Sequence, residues 1–322
     1  MRRRRRVSPR HLALLALLFA ASSAAGWLLA AGHTSDSPPA AAVVHAPPAV
    51  KHRVEDPKPS GAAPPPGIDL FGARPVHVRF KKPPRAGVLF DVTTGQVLWA
   101  RRPLRRLSIA STTKIMTAIL VVERTRPREK VHVSKEALHY SGSGVGLLPK
   151  KRPVPVEGLL AGMLLPSGND AAIALAGHLA GSSRRFARLM NERARAMGLG
   201  CTRYVSPEGL SDRNHSCAAD LAALSRVAIA KRRIARLVRR RQVEIPFPIK
   251  SGKLWLGNTN PLLRTRYPGT IGLKTGYTSK AGHCFVAIVR RGSREFGVVL
   301  LHSPNTTRQA KKLLDAAFDL RG

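Results

Sequence analysis

The chain has 322 residues, 43% of them hydrophobic, with 55 Lys and Arg against 18 Asp and Glu and a formal net charge of +37. That length allows one large domain with a sizeable core plus extensions. The charge points to polyanionic surroundings, and an aromatic content of 5% leaves few rings for base stacking, which favours an anionic envelope over nucleic acid.

Residues 1–34 open with a block of arginines and continue in an apolar run, Leu12 to Ala31, that carries no charge. This is the pattern of a signal peptide or signal anchor, and about twenty apolar residues are enough to span a bilayer. Arginines stay on the cytoplasmic side, so the expected location is extracytoplasmic, secreted or tethered to the cytoplasmic membrane by the N-terminal anchor. Loss of residues 1–31 removes six arginines and leaves +31, still strongly basic. Residues 35–67 are so rich in Pro and Ala that they cannot build a core and read as a semi-extended linker. Residues 68–322 then read as one domain.

In that domain the two ends predict strands and the middle predicts helices. GVLFDV (87–92) and QVLWARR (96–102), joined by Thr93-Thr94-Gly95, read as a hairpin. TIGLKTGY (270–277), HCFVAIVRR (283–291) and REFGVVLLH (294–302) are three further strands, and the stretch from Thr306 to Leu320 reads as a closing helix. Between them, helical patterns begin at Ser111, Val156, Asn169, Arg184 and Ala218. The predicted architecture is α/β: a five-stranded, mainly antiparallel sheet flanked by helices, with a helical insertion.

Ser111 and Lys114 lie three positions apart in SIASTTKIMTAIL (108–120), on one face of a helix start. A serine needs a base to act as a nucleophile. Lysine serves as one only where burial or a second cation disfavours its charge. An N-capping serine followed by a solvated lysine gives the same pattern. Ser167 and Asn169, in LLPSGNDAA (164–172), and Lys274, Thr275 and Gly276, in GLKTGYT (272–278), each have an equally ordinary reading as a helix cap and a strand end. Their combination is far more specific: Ser-x-x-Lys, Ser-x-Asn and Lys-Thr-Gly in that order.

With SPEGLSD (206–212), NTNPLL (258–263) and YPGTIGLKTGYTSKAGHCFVA (267–287), these stretches make residues 84–318 resemble the serine-type D-alanyl-D-alanine carboxypeptidases, the low-molecular-mass penicillin-binding DD-peptidases. The resemblance implies a β-lactamase/penicillin-binding-protein-like fold and removal of the terminal D-Ala from peptidoglycan stem pentapeptides through an acyl-enzyme. In those terms Ser111 is the nucleophile, Lys114 its base, Ser167 a proton relay, and Asn169 a group that positions substrate and holds Lys114. Lys274 and Thr275 receive the substrate carboxylate, and the main-chain N–H groups of Ser111 and Tyr277 form the oxyanion hole. Arg308 is a further carboxylate ligand, although its stretch is about two residues shorter than in many relatives. β-Lactams are the implied covalent inhibitors, and anionic cell-wall polymers are possible partners. An inactive wall-binding relative and a β-lactamase of the same fold are the alternatives.

No cofactor is expected. Leu273 stands where a phosphate-binding loop needs glycine, and Cys201, His215 and Cys217 have a spacing unusual for zinc, so no metal is expected either. In an oxidising exterior Cys201 and Cys217 are the expected disulfide, bracketing a loop that needs closure, with Cys284 left as a buried thiol.

Overall fold

The computed structural model describes residues 65–320. The expected signal or anchor (1–34) and most of the linker (35–67) lie outside the described residues. Among the described residues no helix is long and apolar enough to cross a membrane.

In chain order the main elements are β1 (Ala86–Asp91), β2 (Val97–Arg101), α1 (Lys114–Arg124), α2 (Val156–Leu164), α3 (Asn169–Ala180), α4 (Ser183–Ala196) and α5 (Ala218–Ala230). They are followed by α6 (Arg232–Val238), β3 (Gln242–Pro246), β4 (Lys253–Gly257), β5 (Thr270–Thr278), β6 (Gly282–Arg291), β7 (Arg294–Ser303) and α7 (Thr306–Phe318). The central sheet is five-stranded in the order β2-β1-β7-β6-β5, and its neighbouring strands run antiparallel. Both chain ends build this sheet, with the helical insertion between them.

The β1–β2 hairpin follows from its turn chemistry. Asp91 accepts the N–H groups of Thr93 and Thr94, both at 2.8 Å, and Gly95 takes a positive φ of 84° that only glycine adopts without strain. The strands beyond it alternate strictly. Val88, Phe90, Val286, Ile288, Val299 and Leu301 face one core, while Leu89, Phe285, Ala287, Val289, Val298 and Leu300 face the other. Burial on both faces explains why these strands read as continuous apolar runs rather than alternating ones. Gly297 pairs with Phe90, and a Cβ there would stand 2.1 Å from the phenyl ring, so the missing side chain is the space the ring fills.

The first core lies between the sheet and the helical insertion, where α1 is buried from Lys114 through Val121. The second is closed by α7 through Ala310, Leu313, Leu314 and Ala317. Two features of the middle had no counterpart in the sequence reading. RRIARLV folds as α6 because Ile234, Leu237 and Val238 share a buried face, and β3 pairs with β4 as a separate hairpin.

Cys201 and Cys217 are joined, with Cα atoms 5.6 Å apart, and Cys284 is a buried free thiol. Asp220 lies beside the two sulfurs, but its carboxylate accepts from the Cys201 N–H at 2.8 Å and from the Thr202 hydroxyl at 2.6 Å. His215 does not belong to that group.

Candidate active site

Three segments from distant parts of the chain meet at one end of the sheet. The first is a short 3-10 turn, Ala110–Thr113, leading into α1. Thr112 closes it by donating both its N–H and its hydroxyl to the Ile109 carbonyl, at 3.2 and 2.7 Å. Ser111 is therefore in a tightened turn while Lys114 opens the α-helix, and both side chains leave on one side.

The second segment runs from the end of α2 into α3. Ser167 has a positive φ of 73°, uncommon for a residue with a Cβ, and Gly168 closes the turn by donating to the Gly162 carbonyl at 2.9 Å. Ser167 thus reaches the cleft while Asn169 begins the helix. The third segment is β5, the sheet edge, which passes so near the turn that a Cβ on Gly276 would lie 2.9 Å from the Ser111 nitrogen. Only glycine allows that approach.

Lys114 is fully buried. Its amine lies 2.9 Å from Ser111 Oγ, 2.6 Å from Asn169 Oδ1 and 2.6 Å from the Glu208 carbonyl oxygen. A neutral amine has two N–H bonds and one lone pair. The Asn169 and Glu208 oxygens can only accept, so in the neutral state they take both N–H bonds and the lone pair is left for the Ser111 hydroxyl 2.9 Å away. The electrostatics favour that state: burial first, and then the nearby Lys274 cation, hold the Lys114 amine well below its ordinary range. Lys274 is buried as well, donates to the Thr275 carbonyl at 3.0 Å, and is lowered by burial to about 7.

Asn169 is held in turn. Its Nδ2 donates to the Tyr140 hydroxyl at 2.8 Å and to Ser143 Oγ at 3.1 Å, which fixes the amide so that Oδ1 faces Lys114. Asp170 pins the loop that carries those hydroxyls, accepting the N–H groups of Val145 at 2.7 Å and Gly146 at 2.8 Å. The Glu208 carbonyl comes from the loop closed by the disulfide. That loop is held further by Thr117 donating to the Pro207 carbonyl at 2.7 Å and by Asn214, which accepts from Val205 N–H at 2.6 Å.

The cleft above these groups has a volume of about 340 Å³. Ser111, Ser167, Thr275, Gly276 and Tyr277 line it, together with Ser143, Thr259 and His283, whereas Lys114 and Asn169 lie beneath. Thr275 and Thr259 share a hydrogen bond of 2.8 Å between hydroxyls. Tyr277 packs on His283 with ring centroids 4.6 Å apart. No carboxylate lines the cleft among the described residues.

Arg308 is exposed and is not part of the cleft wall; Thr306 and Thr307 take that place. Asn305 caps α7 by accepting the Arg308 N–H at 2.9 Å, which sets that arginine in the first turn, beyond the wall. Tyr140, Ser143, Thr259 and the Glu208 carbonyl are groups the sequence reading did not single out. The only trace of the first two is a run of hydroxyls and glycines, YSGSG, in a segment without periodicity.

A serine hydroxyl in the wall of a cleft lined with hydroxyls, 2.9 Å from a buried amine beneath it, is an arrangement that suits serine acyl transfer. Residues 81–305 match the family profile of Peptidase S11, D-alanyl-D-alanine carboxypeptidase. The chain belongs to that family.

Relatives extend the match. The D-alanyl-D-alanine carboxypeptidase DacF of Bacillus subtilis (strain 168) is 35% identical over 243 residues, covering 73% of this chain and 62% of that protein. The carboxypeptidase DacB2 of Mycobacterium tuberculosis H37Rv is 33% identical over 247 residues, covering 74% of this chain and 83% of the relative. Among solved structures, the Streptomyces K15 DD-transpeptidase superposes with a TM-score of 0.69 at 29% identity, over 76% of this chain and 100% of its own. A D-alanyl-D-alanine carboxypeptidase from M. tuberculosis H37Rv gives 0.71 at 29% identity, over 80% and 97%. The fold is therefore that of the penicillin-binding DD-peptidases. The matched region spans about three fifths of the Bacillus protein's length.

Proposed function

We propose that this chain is a serine DD-carboxypeptidase that removes the terminal D-Ala from peptidoglycan stem pentapeptides. The observation that carries the reading is the buried Lys114 amine, 2.9 Å from Ser111 Oγ and 2.6 Å from each of two oxygens that can only accept; in its neutral state those two oxygens take its N–H bonds and leave the lone pair for the serine.

Lys114 takes the Ser111 proton as Oγ attacks the carbonyl carbon of the penultimate D-Ala. The oxyanion is held by the main-chain N–H groups of Ser111 and Tyr277. Ser167 passes the proton to the departing D-Ala amine, and water then cleaves the ester on Ser111. The substrate's carboxylate is received by Lys274 and by the hydroxyl of Thr275, a cation and a donor suited to an anionic end. β-Lactams, which present a similar carboxylate and a reactive carbonyl, acylate the same serine. A penicillin-binding protein of Listeria monocytogenes in an ampicillin-bound form is among the structures of this fold, with 28% identity to this chain.

The β-lactamase alternative needs a carboxylate that activates water against the acyl-enzyme. The described cleft wall offers none. The side chain of Glu208 is outside that wall, and its main-chain oxygen is committed to Lys114. The activity belongs outside the cytoplasmic membrane, where the N-terminal apolar run would deliver the domain by export or hold it by an anchor.

The test is release of D-alanine from a pentapeptide ending in D-Ala-D-Ala by the wild-type protein and by Ser111→Ala. Release by the wild type alone, with penicillin covalently trapped for many turnovers, is the expected result. Rapid multiple-turnover hydrolysis of penicillin with little action on the peptide would reassign the chain to the β-lactamases.

A further inference from the structure

The most basic stretch of the domain, RRIARLVRRRQ (232–242), forms a surface separate from the catalytic cleft. Helix α6 buries Ile234, Leu237 and Val238 and leaves Arg232, Arg236 and Arg239 exposed. These arginines are spaced i, i+4, i+7 and therefore share one face. With Arg290 they wall a cleft of about 530 Å³. A second cleft, of about 670 Å³, is walled by Arg239, Arg240, Arg241 and Arg264. Arg239 belongs to both walls, so the two clefts adjoin.

Apart from Arg290, the charged side chains of these walls have no ion-pair partner among the described residues. Nearby Lys231, Arg233 and Arg290 are paired with Glu123, Glu157 and Glu295. Among the described residues, Arg232, Arg236, Arg239, Arg240, Arg241 and Arg264 have no acidic partner. Six like charges along one concave path repel one another, and an anion of matching length relieves that repulsion. Guanidinium groups match phosphate with two parallel hydrogen bonds each.

Shape and lining select among polyanions. Adjoining concave clefts suit a flexible chain, whereas a planar membrane would touch their rims. Neither wall contains an aromatic side chain, so the path has no platform on which bases could stack. We infer that the joined clefts along α6 bind a linear polyphosphodiester without bases, several of whose phosphates are neutralised at once by the unpaired arginines. The path ends close to the chemistry: Gly257 and Asn258 line the second cleft, and the next residue, Thr259, bonds to Thr275 in the catalytic one. Such a polymer would hold the domain beside its substrate without entering the catalytic cleft, and the inference does not depend on the reaction assigned to Ser111.

The test uses the full-length protein in detergent micelles and measures binding of soluble poly(glycerol phosphate) across a salt series. Two variants of equal charge are compared, Arg232→Gln/Arg236→Gln/Arg239→Gln and a control on α4, Arg184→Gln/Arg188→Gln/Arg195→Gln. The first should weaken binding by about tenfold or more at low salt and lower the slope of log K against log salt by about 2, at roughly 0.7 per phosphate. The control should change neither by more than its share of the bulk charge. Unchanged circular dichroism and thermal unfolding in the α6 variant establish that it is folded. Equal losses in both variants would overturn the inference in favour of bulk charge. Displacement of the polymer by micelles doped with anionic phospholipid at matched charge would reassign the surface to a membrane, and markedly tighter binding of single-stranded DNA would reassign it to nucleic acid.

Discussion

Replacement of Asn169 separates the two things this residue does for Lys114. In Asn169→Asp the acceptor 2.6 Å from the amine is kept but becomes charged, and the second carboxylate oxygen can accept from the hydroxyls of Tyr140 and Ser143, which rotate. An opposite charge at that range raises an amine's pKa by about 1–3 units. The base works only when neutral, so its activity is present above its pKa and lost as the pH falls through it. The burial and the Lys274 charge that now lower this pKa are thus partly cancelled. Below both values acylation should be slower by about 10- to 1000-fold, with the loss recovered as the pH rises. Asn169→Leu instead strands a buried N–H and adds no charge. That costs about 1–3 kcal/mol, or roughly 5- to 150-fold, at every pH. The assay is the second-order rate of labelling by a fluorescent penicillin between about pH 5 and 10, a range set by the ordinary limits of lysine and carboxylate titration. An Asp variant whose ascending limb coincides with that of the wild type would refute the reasoning, because the limb would then not report the amine that Asn169 touches.

Gly276→Ala places a Cβ 2.9 Å from the Ser111 nitrogen, so it should lower stability by about 1–3 kcal/mol as overpacking does and slow penicillin labelling of the folded fraction by at least about tenfold, a shift of about 1.4 kcal/mol in the barrier. Replacing both Cys201 and Cys217 by Ser opens a loop of sequence separation 16, which should cost about 3 kcal/mol in the chain-entropy account and lower the thermal midpoint by about 6–12 °C. Because that loop supplies the Glu208 carbonyl to Lys114, labelling of the folded fraction should slow as well. An unchanged labelling rate would mean the loop holds its position without the bond.

The sheet was legible in the sequence because its strands are long, rich in β-branched residues and buried on both faces, so each stands out as an apolar run between glycine turns. The order of the three motifs was legible because Ser-x-x-Lys, Ser-x-Asn and Lys-Thr-Gly in one chain are together far more specific than any one of them. The segment from Tyr140 to Gly146 was not. It has no periodicity, and although Tyr140 and Ser143 accept from the Asn169 amide through their hydroxyls, the loop that carries them is placed by Asp170 accepting main-chain N–H groups at Val145 and Gly146, which any sequence could supply at those two positions. Arg308 shows the opposite failing. Counting residues brings it near the carboxylate end, but the Asn305 cap decides where α7 begins and leaves Thr306 and Thr307 at the cleft.

The least legible group is one of the two acceptors that hold the proposed base. Without the Glu208 carbonyl the neutral Lys114 amine would have an N–H bond to spare, and its lone pair would no longer be directed at Ser111 alone. A carbonyl is present at every residue, so its identity carries no signal; only its position does. That position is written in the constraints around it. Gly209 has a positive φ of 89°, where a Cβ would stand 2.2 Å from the Ala110 carbonyl oxygen. Asn214 accepts from Val205 and Ser206, and Cys201 and Cys217 close the ends. Each of these residues is explicable alone as loop stability. Together they fix one oxygen 2.6 Å from a buried amine, and that shared target is what turns a surface loop into part of the site.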